Sequence, residues 1–189
     1  MNTYLVLLRG VNVGGKNIIS MAKLRTALEE LGFKNVASYI ASGNLIVDSP
    51  KTASATQKAV ERLLVDKFGV GRDSARALVL TQPELEAVVK KRPKGFGDEP
   101  GKYHSDAVFL IGAKPAAAMK VFSPREGVDS VWPGPGVVYS QRLSAQRTKS
   151  RLGRIVGTPE YRSMTIRSWN TTVKLLELMK SRAVGTKAE

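Results

Sequence analysis

A glycine-rich basic loop near the N-terminus has the residue types and spacing that bind phosphate. Gly10, Gly15 and Lys16 match the P-loop pattern G-x-x-x-x-G-K-[ST], in which backbone N–H groups and a lysine surround nucleotide phosphates. Asn17 stands where that pattern needs a hydroxyl to hold magnesium. The apolar run Tyr4–Leu8 predicts a strand before the loop, but the helix after the loop is predicted to begin late. A nucleotide hydrolase of the P-loop class is therefore disfavoured.

Two interpretations of this loop stay open. In the first, the loop is a tight strand-to-helix connection whose glycines adopt positive φ and whose asparagines bond neighbouring backbone groups. In the second, exposed amides and adjacent cations form an anion-binding nest. The candidate ligand-binding residues of the loop are Arg9, Asn12, Gly14, Gly15, Lys16 and Asn17.

A second polar turn, Ser42-Gly43-Asn44, separates two short runs that predict a hairpin, residues 36–40 and 45–47. Ser42 and Asn44 are candidate ligand-binding residues. We expect the first and third strands to run parallel, which places this turn and the loop at Arg9 at opposite ends of the sheet. A pocket shared by the two is therefore not expected within this part of the chain.

The segment Arg167-Ser-Trp-Asn-Thr171 opens the last predicted helix. The free N–H groups of a first helical turn bind anions, so Arg167, Asn170 and Thr171 are candidate ligand-binding residues. Ser168 or Asn170 is expected to cap this helix. We interpret Trp169 as a core residue rather than a platform for a stacked base.

Few other groups offer catalytic chemistry. The chain has no cysteine and a single histidine, His104, which excludes thiolate catalysis and histidine-rich metal sites. Adjacent strand residues point to opposite faces, so His104, Ser105 and Asp106 do not form a triad by spacing. An enzyme built on this chain would use Asp48, Asp106 or Tyr39 as acid or base. The sequence assigns no catalytic residue, metal ligand or cofactor.

The charge of the chain is strongly basic and uneven. The formal net charge is +14, and residues 142–189 carry 11 basic and 3 acidic side chains. Such an excess favours phosphate-bearing partners, either nucleic acid or a phosphorylated small molecule, although a solvated face without a specific partner is the alternative. No apolar segment reaches the ~20 residues of a membrane span. With no signal peptide and no cysteine, we expect a cytoplasmic protein without a membrane partner.

The periodicity of apolar residues predicts the element order βαββαβ twice. The fold class is therefore α+β, with two ferredoxin-like subdomains that have antiparallel sheets in strand order 4-1-3-2, followed by a C-terminal helix. We expect Ser54-x-x-Gln57 to form a capping box and residues 148–156 to be helical. The predicted divisions are a first subdomain at 1–80, a connecting helix and flap at 81–104, a second subdomain with the C-terminal helix at 105–182, and a tail at 183–189.

Four stretches of the chain match a known family pattern. They are RGVNVGGKN at 9–17, M-x-x-L through LGF at 21–33, YIASGN at 39–44 and TIRSWNT at 165–171. With these motifs the chain resembles the bacterial domain of unknown function 1697 (DUF1697) family over nearly its whole length. The resemblance implies two ferredoxin-like subdomains in one α+β protein, and it implies no activity. A glutamine usually stands in this family at the position of Ala41, and an asparagine at that of Ser168.

The leading functional hypothesis is binding of a phosphate-bearing ligand, a nucleotide or a nucleic acid, by the basic surface. Arg9 and Lys16 would neutralise the anion, and Gly14 and Gly15 would expose amides to it. One alternative is an enzyme for a small phosphorylated or acidic metabolite, and another is a structural or interaction protein without a ligand. Oligomeric state, ligand identity and catalysis stay open, as does whether the loop and the last helix form one site.

Overall fold

The protein was analysed as a computed structural model that describes residues 1–15 and 17–185, so Lys16 lies outside the described residues. The chain forms two compact units, Met1–Leu85 with Leu175–Glu189, and Glu86–Lys174. Each unit is built on one four-stranded sheet. Within the described part of the chain, no helix combines the length and apolar character needed to cross a bilayer.

The first unit has the βαββαβ order predicted from the sequence. Its elements are β1 (Asn2–Leu8), α1 (Met21–Glu30), β2 (Lys34–Tyr39), β3 (Asn44–Ser49), α2 (Ala53–Phe68) and β4 (Ala77–Thr81). The strand order β2-β3-β1-β4 confirms the ferredoxin-like arrangement. The expectation that the first and third strands run parallel is wrong, because β3 is antiparallel to both of its neighbours. The α1 crossover returns β2 in the direction of β1, and the tight turn that follows reverses the chain into β3.

The start of α2 differs from the predicted capping box. Thr52 caps the helix, and its Oγ1 accepts a hydrogen bond of 3.3 Å from the N–H of Ala55. Ser54 therefore lies inside the first turn, and Gln57 donates to Glu61 Oε1 at 3.0 Å instead of reaching back to the cap. The helix begins two residues earlier than predicted because a threonine already offers the capping oxygen there.

The core of the first unit lies between one face of the sheet and the two helices. Tyr4, Val6 and Leu8 alternate along β1 toward this face, and they pack with Leu24 of α1 and Leu64 of α2. Burying each such aliphatic side chain contributes about 1.5–3 kcal/mol. This packing fixes the end of β1, from which the glycine-rich loop starts.

The second unit repeats the strand order with a different second crossover. Its first helix is α3 (Gln82–Lys90), whose first residues belong to the first unit. The elements that follow are β5 (Tyr103–Leu110), α4 (Pro115–Met119), β6 (Asp129–Gly134), β7 (Val137–Leu143), three 3-10 segments (Ser144–Lys149, Leu152–Gly157 and Pro159–Ser163), β8 (Met164–Ser168) and the start of α5 (Trp169–Gly185). From Leu175 onward, α5 belongs to the first unit. The sheet order is β6-β7-β5-β8, with antiparallel neighbours throughout.

The helix expected at residues 148–156 is wrong, since 3-10 turns occupy this stretch. Leu152 and Ile155 are its buried residues, and their spacing of three matches the 3-10 period. Gly153 and Gly157 disfavour a longer α-helix here. The two buried side chains hold the turns against the sheet, where they join Val108 and its neighbours in the core.

Candidate functional site

The glycine-rich loop and the turn after β2 lie side by side at one end of the first unit's sheet. Antiparallel pairing sets Leu7 opposite Asn44, and the N–H of Leu8 donates to the carbonyl of Gly43 at 2.8 Å. Gly43 has φ +76°, and a Cβ there would lie 2.8 Å from Leu8 Cβ, so glycine is needed. Residues 9–17 and 39–44 thus form one feature, the loop–turn cluster. The predicted separation of the two is wrong.

Asn12 ties the loop to the turn. Its Nδ2 donates to the carbonyls of Ile19 at 2.9 Å and Ala41 at 2.8 Å, and its Oδ1 accepts from the N–H of Ile19 at 2.7 Å. The backbone N–H of Asn12 donates to the carbonyl of Asn17 at 3.1 Å, and Asn17 Nδ2 donates to the carbonyl of Gly10 at 3.0 Å. These asparagine side chains therefore close the loop on itself and hold it against the turn.

Asn44 fixes the turn in the same manner. Its side chain is fully buried, and Nδ2 donates to the carbonyl of Tyr39 at 3.0 Å and to Ser42 Oγ at 3.1 Å. Both polar residues predicted from the turn are thus engaged in shaping it. Their placement supports a scaffolding role beneath the surface that a ligand would meet.

The backbone of the cluster is strained. Asn12 has φ +55°, Asn17 has φ +47° and Ile40 has φ +50°. Asparagine visits this left-handed region readily, whereas a β-branched isoleucine does so at a cost of about 1–3 kcal/mol. Such strain persists only where the surrounding structure enforces it, and it concentrates at functional sites. The strain marks the loop–turn cluster as the candidate site of the first unit.

The outer surface of the cluster combines apolar side chains with accessible backbone. Val13 is 60% exposed, Ile18 80% and Ile40 53%, which is unusual for residues of this type. Gly14 and Gly15 have φ +60° and +72°, and a Cβ built on either would meet no atom within 4 Å. Both glycines are exposed, so no neighbouring side chain covers the chain at these positions.

Cations lie next to the cluster. Arg9 follows β1 directly, and its N–H donates to the carbonyl of Arg76 at 2.9 Å, so the two arginines are neighbours at the sheet end. A groove of about 640 Å³ runs from Ile18 to Phe68 and includes Lys23 in its lining. Of the predicted cations, Lys16 is outside the described residues. Arg9 and Arg76 therefore lie at the same end of the sheet as the loop.

Arg167 lies in the second unit, within β8 rather than at the start of the last helix. Only 6% of the residue is exposed, and Nη1 donates to Thr165 Oγ1 at 2.9 Å and to the carbonyl of Ile166 at 2.8 Å. Burial lowers the pKa of Arg167 to about 10. The guanidinium that was predicted to meet an anion thus has hydrogen-bond acceptors inside the protein.

The start of α5 is capped by Ser168, one of the two predicted caps. Its Oγ accepts from the N–H of Thr171 at 3.3 Å and donates to Thr171 Oγ1 at 2.9 Å. Trp169 is 5% exposed and packs edge-on against Phe96, with ring centroids 5.1 Å apart, as expected of a core residue. Asn170 is exposed on the first turn. Of the three residues predicted from this segment, Asn170 is the one that faces solvent.

Sequence reasoning missed a polar cluster at the start of β5. His104 Nε2 lies 3.1 Å from Asp106 Oδ2, and Arg142 Nη1 lies 3.9 Å from the same oxygen. Burial raises the pKa of Asp106, while the charges of His104 and Arg142 act in the opposite direction. The sequence signal for this cluster is that His104 and Asp106 are two residues apart, because alternate residues of a strand share a face. Within residues 1–15 and 17–185, no group of three or more His, Cys, Asp or Glu side chains is placed to hold a metal ion.

A family model named "Protein of unknown function (DUF1697)" matches residues 1–139. The chain belongs to the DUF1697 family. The matched range includes the whole loop–turn cluster together with His104 and Asp106, and it ends before Arg142 and before the segment at 167–171. Two departures from the DUF1697 pattern are accommodated by the structure. Ala41 contributes its carbonyl to Asn12, and Ser168 supplies a capping oxygen to α5.

A solved structure is similar to the chain along nearly its full length. It is the conserved bacterial protein SP0830 from Streptococcus pneumoniae, with 24% sequence identity and a TM-score of 0.78. The alignment covers 94% of this chain and 98% of the other. At this identity the likeness establishes the fold alone. No curated protein matches the chain.

Proposed function

We propose that the chain binds a phosphate-bearing ligand, a nucleotide or a nucleic acid, at the loop–turn cluster. The observation that carries the proposal is the combination of open backbone at Gly14 and Gly15 with the exposed apolar side chains Val13 and Ile18. Amides in left-handed turns bind phosphate oxygens, and apolar side chains offer contact for the face of a base. A nucleotide presents both kinds of surface at once.

The rigidity of the cluster supports binding. Asn12, Asn17 and Asn44 hold the loop and turn through hydrogen bonds of 2.7–3.1 Å before any ligand arrives. A preorganised site loses less conformational entropy on binding, so more of the contact energy appears as affinity. In this proposal the asparagines shape the site, while Gly14, Gly15 and the neighbouring cations contact the ligand.

Charge supports a phosphate rather than a neutral partner. Arg9 and Lys16 flank the glycines in the sequence and supply cations for the anion. The second unit carries a basic strip of exposed side chains, defined as Arg147, Lys149, Arg151, Arg154 and Arg162. Among the described residues, none of these five forms an ion pair. A row of cations without acidic partners favours a ligand with several phosphates, such as nucleic acid, and the cysteine-free composition fits binding in the cytosol.

A salt titration tests the proposal. Fluorescence anisotropy of a labelled single-stranded oligonucleotide would be measured between about 50 and 200 mM salt. The logarithm of the association constant should fall linearly with the logarithm of the salt concentration. Lys16→Ala or Arg9→Ala should weaken binding and lower the magnitude of the slope by about 1. Ile18→Ser should weaken binding without changing the slope, because it removes an apolar contact.

Leu31→Ser is the matched control for Ile18→Ser, since Leu31 is 45% exposed at the end of α1 and lies outside both the loop–turn cluster and the basic strip. It should leave affinity unchanged. Absence of binding to oligonucleotides and mononucleotides at low salt would overturn the proposal, as would equal effects of the two serine variants.

Two further arms distinguish nucleic acid from a free nucleotide. Competition by a mononucleotide at similar affinity identifies a nucleotide site. If the ligand is nucleic acid, the double variant Arg151→Glu/Arg154→Glu should weaken oligonucleotide binding and leave mononucleotide binding unchanged. This result is expected because a mononucleotide has too few phosphates to need the basic strip.

A further inference from the structure

The start of β5 pairs an accessible imidazole with a shielded carboxylate. His104 and Asp106 are two residues apart on the strand, so their side chains share a face, and Nε2 lies 3.1 Å from Oδ2. The His104 side chain is 46% exposed and that of Asp106 is 16% exposed. His104 is the only histidine in the chain. The binding function proposed for the loop–turn cluster makes no use of this pair.

The neighbouring strands surround the carboxylate with polar groups. On β7, Arg142 lies opposite His104 in register, and its Nη1 is 3.9 Å from Asp106 Oδ2. On β8, Ser168 lies opposite Asp106. On β6, the charged neighbour is Asp129, which lies opposite Arg142. The imidazole therefore contacts the carboxylate of Asp106. The guanidinium of Arg142 lies beyond that carboxylate, and Asp129 lies opposite Arg142 on the next strand.

A small cavity adjoins the imidazole. Its volume is about 150 Å³, and its lining includes His104, Ser105, Ser168 and Asn170. At about 30 Å³ per water molecule, this space takes a few waters or one small functional group. The Asn170 amide and the Ser105 hydroxyl in the lining can donate to a neutral polar group such as a carbonyl, whereas the Ser168 hydroxyl already donates to Thr171. The cavity is thus suited to the reacting end of a small uncharged substrate and a water molecule.

We propose that His104 is a general base, that Asp106 is its positioning residue, and that the site hydrolyses small esters. With Nε2–H donated to Asp106, the imidazole keeps Nδ1 as its proton acceptor. Nδ1 removes a proton from water while the water oxygen forms a bond to the ester carbonyl carbon. When the C–O bond to the leaving group breaks, the imidazolium returns the proton to the departing oxygen, so that ester and water become acid and alcohol. Asp106 holds the ring orientation and stabilises the imidazolium that forms.

The test follows steady-state hydrolysis of p-nitrophenyl acetate by the full chain, because acylation of lysines gives a burst without turnover. His104→Gln should reduce turnover at least tenfold, as removal of a general base commonly removes 10²–10⁴-fold. Asp106→Asn should reduce kcat about tenfold and leave KM unchanged, since the imidazole loses the carboxylate that orients it while the contacts to the substrate remain. Asp73→Asn, an exposed carboxylate of the first unit, is the matched control and should leave the rate unchanged.

A measurement on the unmodified sequence keeps the proposal falsifiable if a variant fails to fold. Carbethoxylation by diethyl pyrocarbonate should abolish turnover, and hydroxylamine should restore it, because the only imidazole to be modified is that of His104. Wild-type turnover in His104→Gln, or an unchanged kcat in Asp106→Asn, would overturn the proposal. So would full turnover after carbethoxylation.

Discussion

The two units share one strand order but concentrate their polar groups at opposite ends of equivalent strands. In the first unit, the strained loop follows the C-terminal end of β1. In the second unit, His104 and Asp106 lie at the N-terminal end of β5, the strand that takes the place of β1. The strand order of the sheet therefore does not determine at which end of a strand the candidate polar groups lie.

The connections account for this difference. The link between β1 and α1 spans residues 9–20 and is held by five hydrogen bonds that involve the side chain or backbone of its asparagines. The corresponding link between β5 and α4 spans only residues 111–114. A long connection leaves backbone exposed for a ligand, whereas a short one leaves the opposite end of the strand as the place for polar side chains. The following predictions test this contrast.

Removal of the asparagine that ties the loop to the turn should have the largest effect. Asn12→Ala deletes three side-chain hydrogen bonds and leaves alanine at φ +55°. We expect the free energy of unfolding to fall by about 4 kcal/mol, from about 1 kcal/mol for each of the three hydrogen bonds and about 1 kcal/mol for the left-handed backbone. Urea denaturation measures it. Asn170→Ala is the control on the second unit and should change stability by less than about 0.5 kcal/mol; equal losses would contradict the contrast.

Two glycines of the cluster should respond differently to the same substitution. Gly43→Ala brings a methyl group 2.8 Å from Leu8 Cβ at φ +76°, so we expect a loss of about 2 kcal/mol. Gly14→Ala meets open space and retains only the positive-φ penalty, about 1 kcal/mol. Thermal unfolding of the two variants compares the losses. An equal loss at both positions would show that the turn does not pack closely on β1.

A buried tyrosine in each unit allows a matched comparison. Tyr139 donates to the carbonyl of Val88 at 2.6 Å, and Tyr4 donates to that of Lys51 at 3.1 Å. Replacement of either by phenylalanine should lower stability by about 1 kcal/mol at pH 7, through loss of one hydrogen bond.

The alkaline behaviour of Tyr139 adds a pH test. Burial raises the pKa of Tyr139 from 10.0 to about 12, so its stabilising contribution is complete below pH 10 and is lost as pH rises through 12. The free energy of unfolding of wild type should therefore fall more steeply between pH 10 and 12 than that of Tyr139→Phe. The stability advantage of wild type should thus shrink toward zero. Urea denaturation at each pH measures this, and parallel curves would contradict burial of the hydroxyl.

Asp106→Asn should have the smallest effect on stability. Burial raises the pKa of Asp106, so the folded state favours the protonated carboxyl. The protonated carboxyl therefore adds to the stability of the fold at low pH, and this addition is lost as pH rises above the usual range of a carboxyl. Asparagine resembles the protonated form, so at pH 7 we expect stability within about 0.5 kcal/mol of wild type, on the stabilising side. The difference should vanish below about pH 4, where both side chains are neutral. A large loss at pH 7 would assign Asp106 a structural role.

Much of the fold could be predicted from the sequence because apolar periodicity marks its elements. The apolar run Tyr4–Leu8 and the helical spacing of apolar residues, such as Leu24 in α1 and Leu64 in α2, predicted the βαββαβ order, and the strand order followed from that topology. The direction of β3 was missed, although a tight turn after β2 requires reversal. The 3-10 turns were also missed, although the spacing of three between Leu152 and Ile155 indicated them.

The candidate site was predictable only in part. Glycines at 14 and 15 indicated positive φ, and the structure has it at both positions. The hydrogen bond from Asn12 to Ala41 joins residues that are distant in the sequence, so local spacing does not predict it. The burial of Arg167 depends on how one face of its strand packs, which local spacing does not predict either. The His104–Asp106 pair lay within reach of a period-two argument, but its accessibility required the structure.

The proposal that the loop–turn cluster binds the ligand is tested most directly by nuclear magnetic resonance. Amide spectra of the ¹⁵N-labelled protein would be recorded during titration with a short single-stranded oligonucleotide at low salt. We predict saturable shifts of the Gly14, Gly15 and Ile18 amides, with the ring resonances of His104 unmoved. Shifts confined to the basic strip or to Asn170 and Thr171, with Gly14 and Gly15 unchanged, would contradict the assignment.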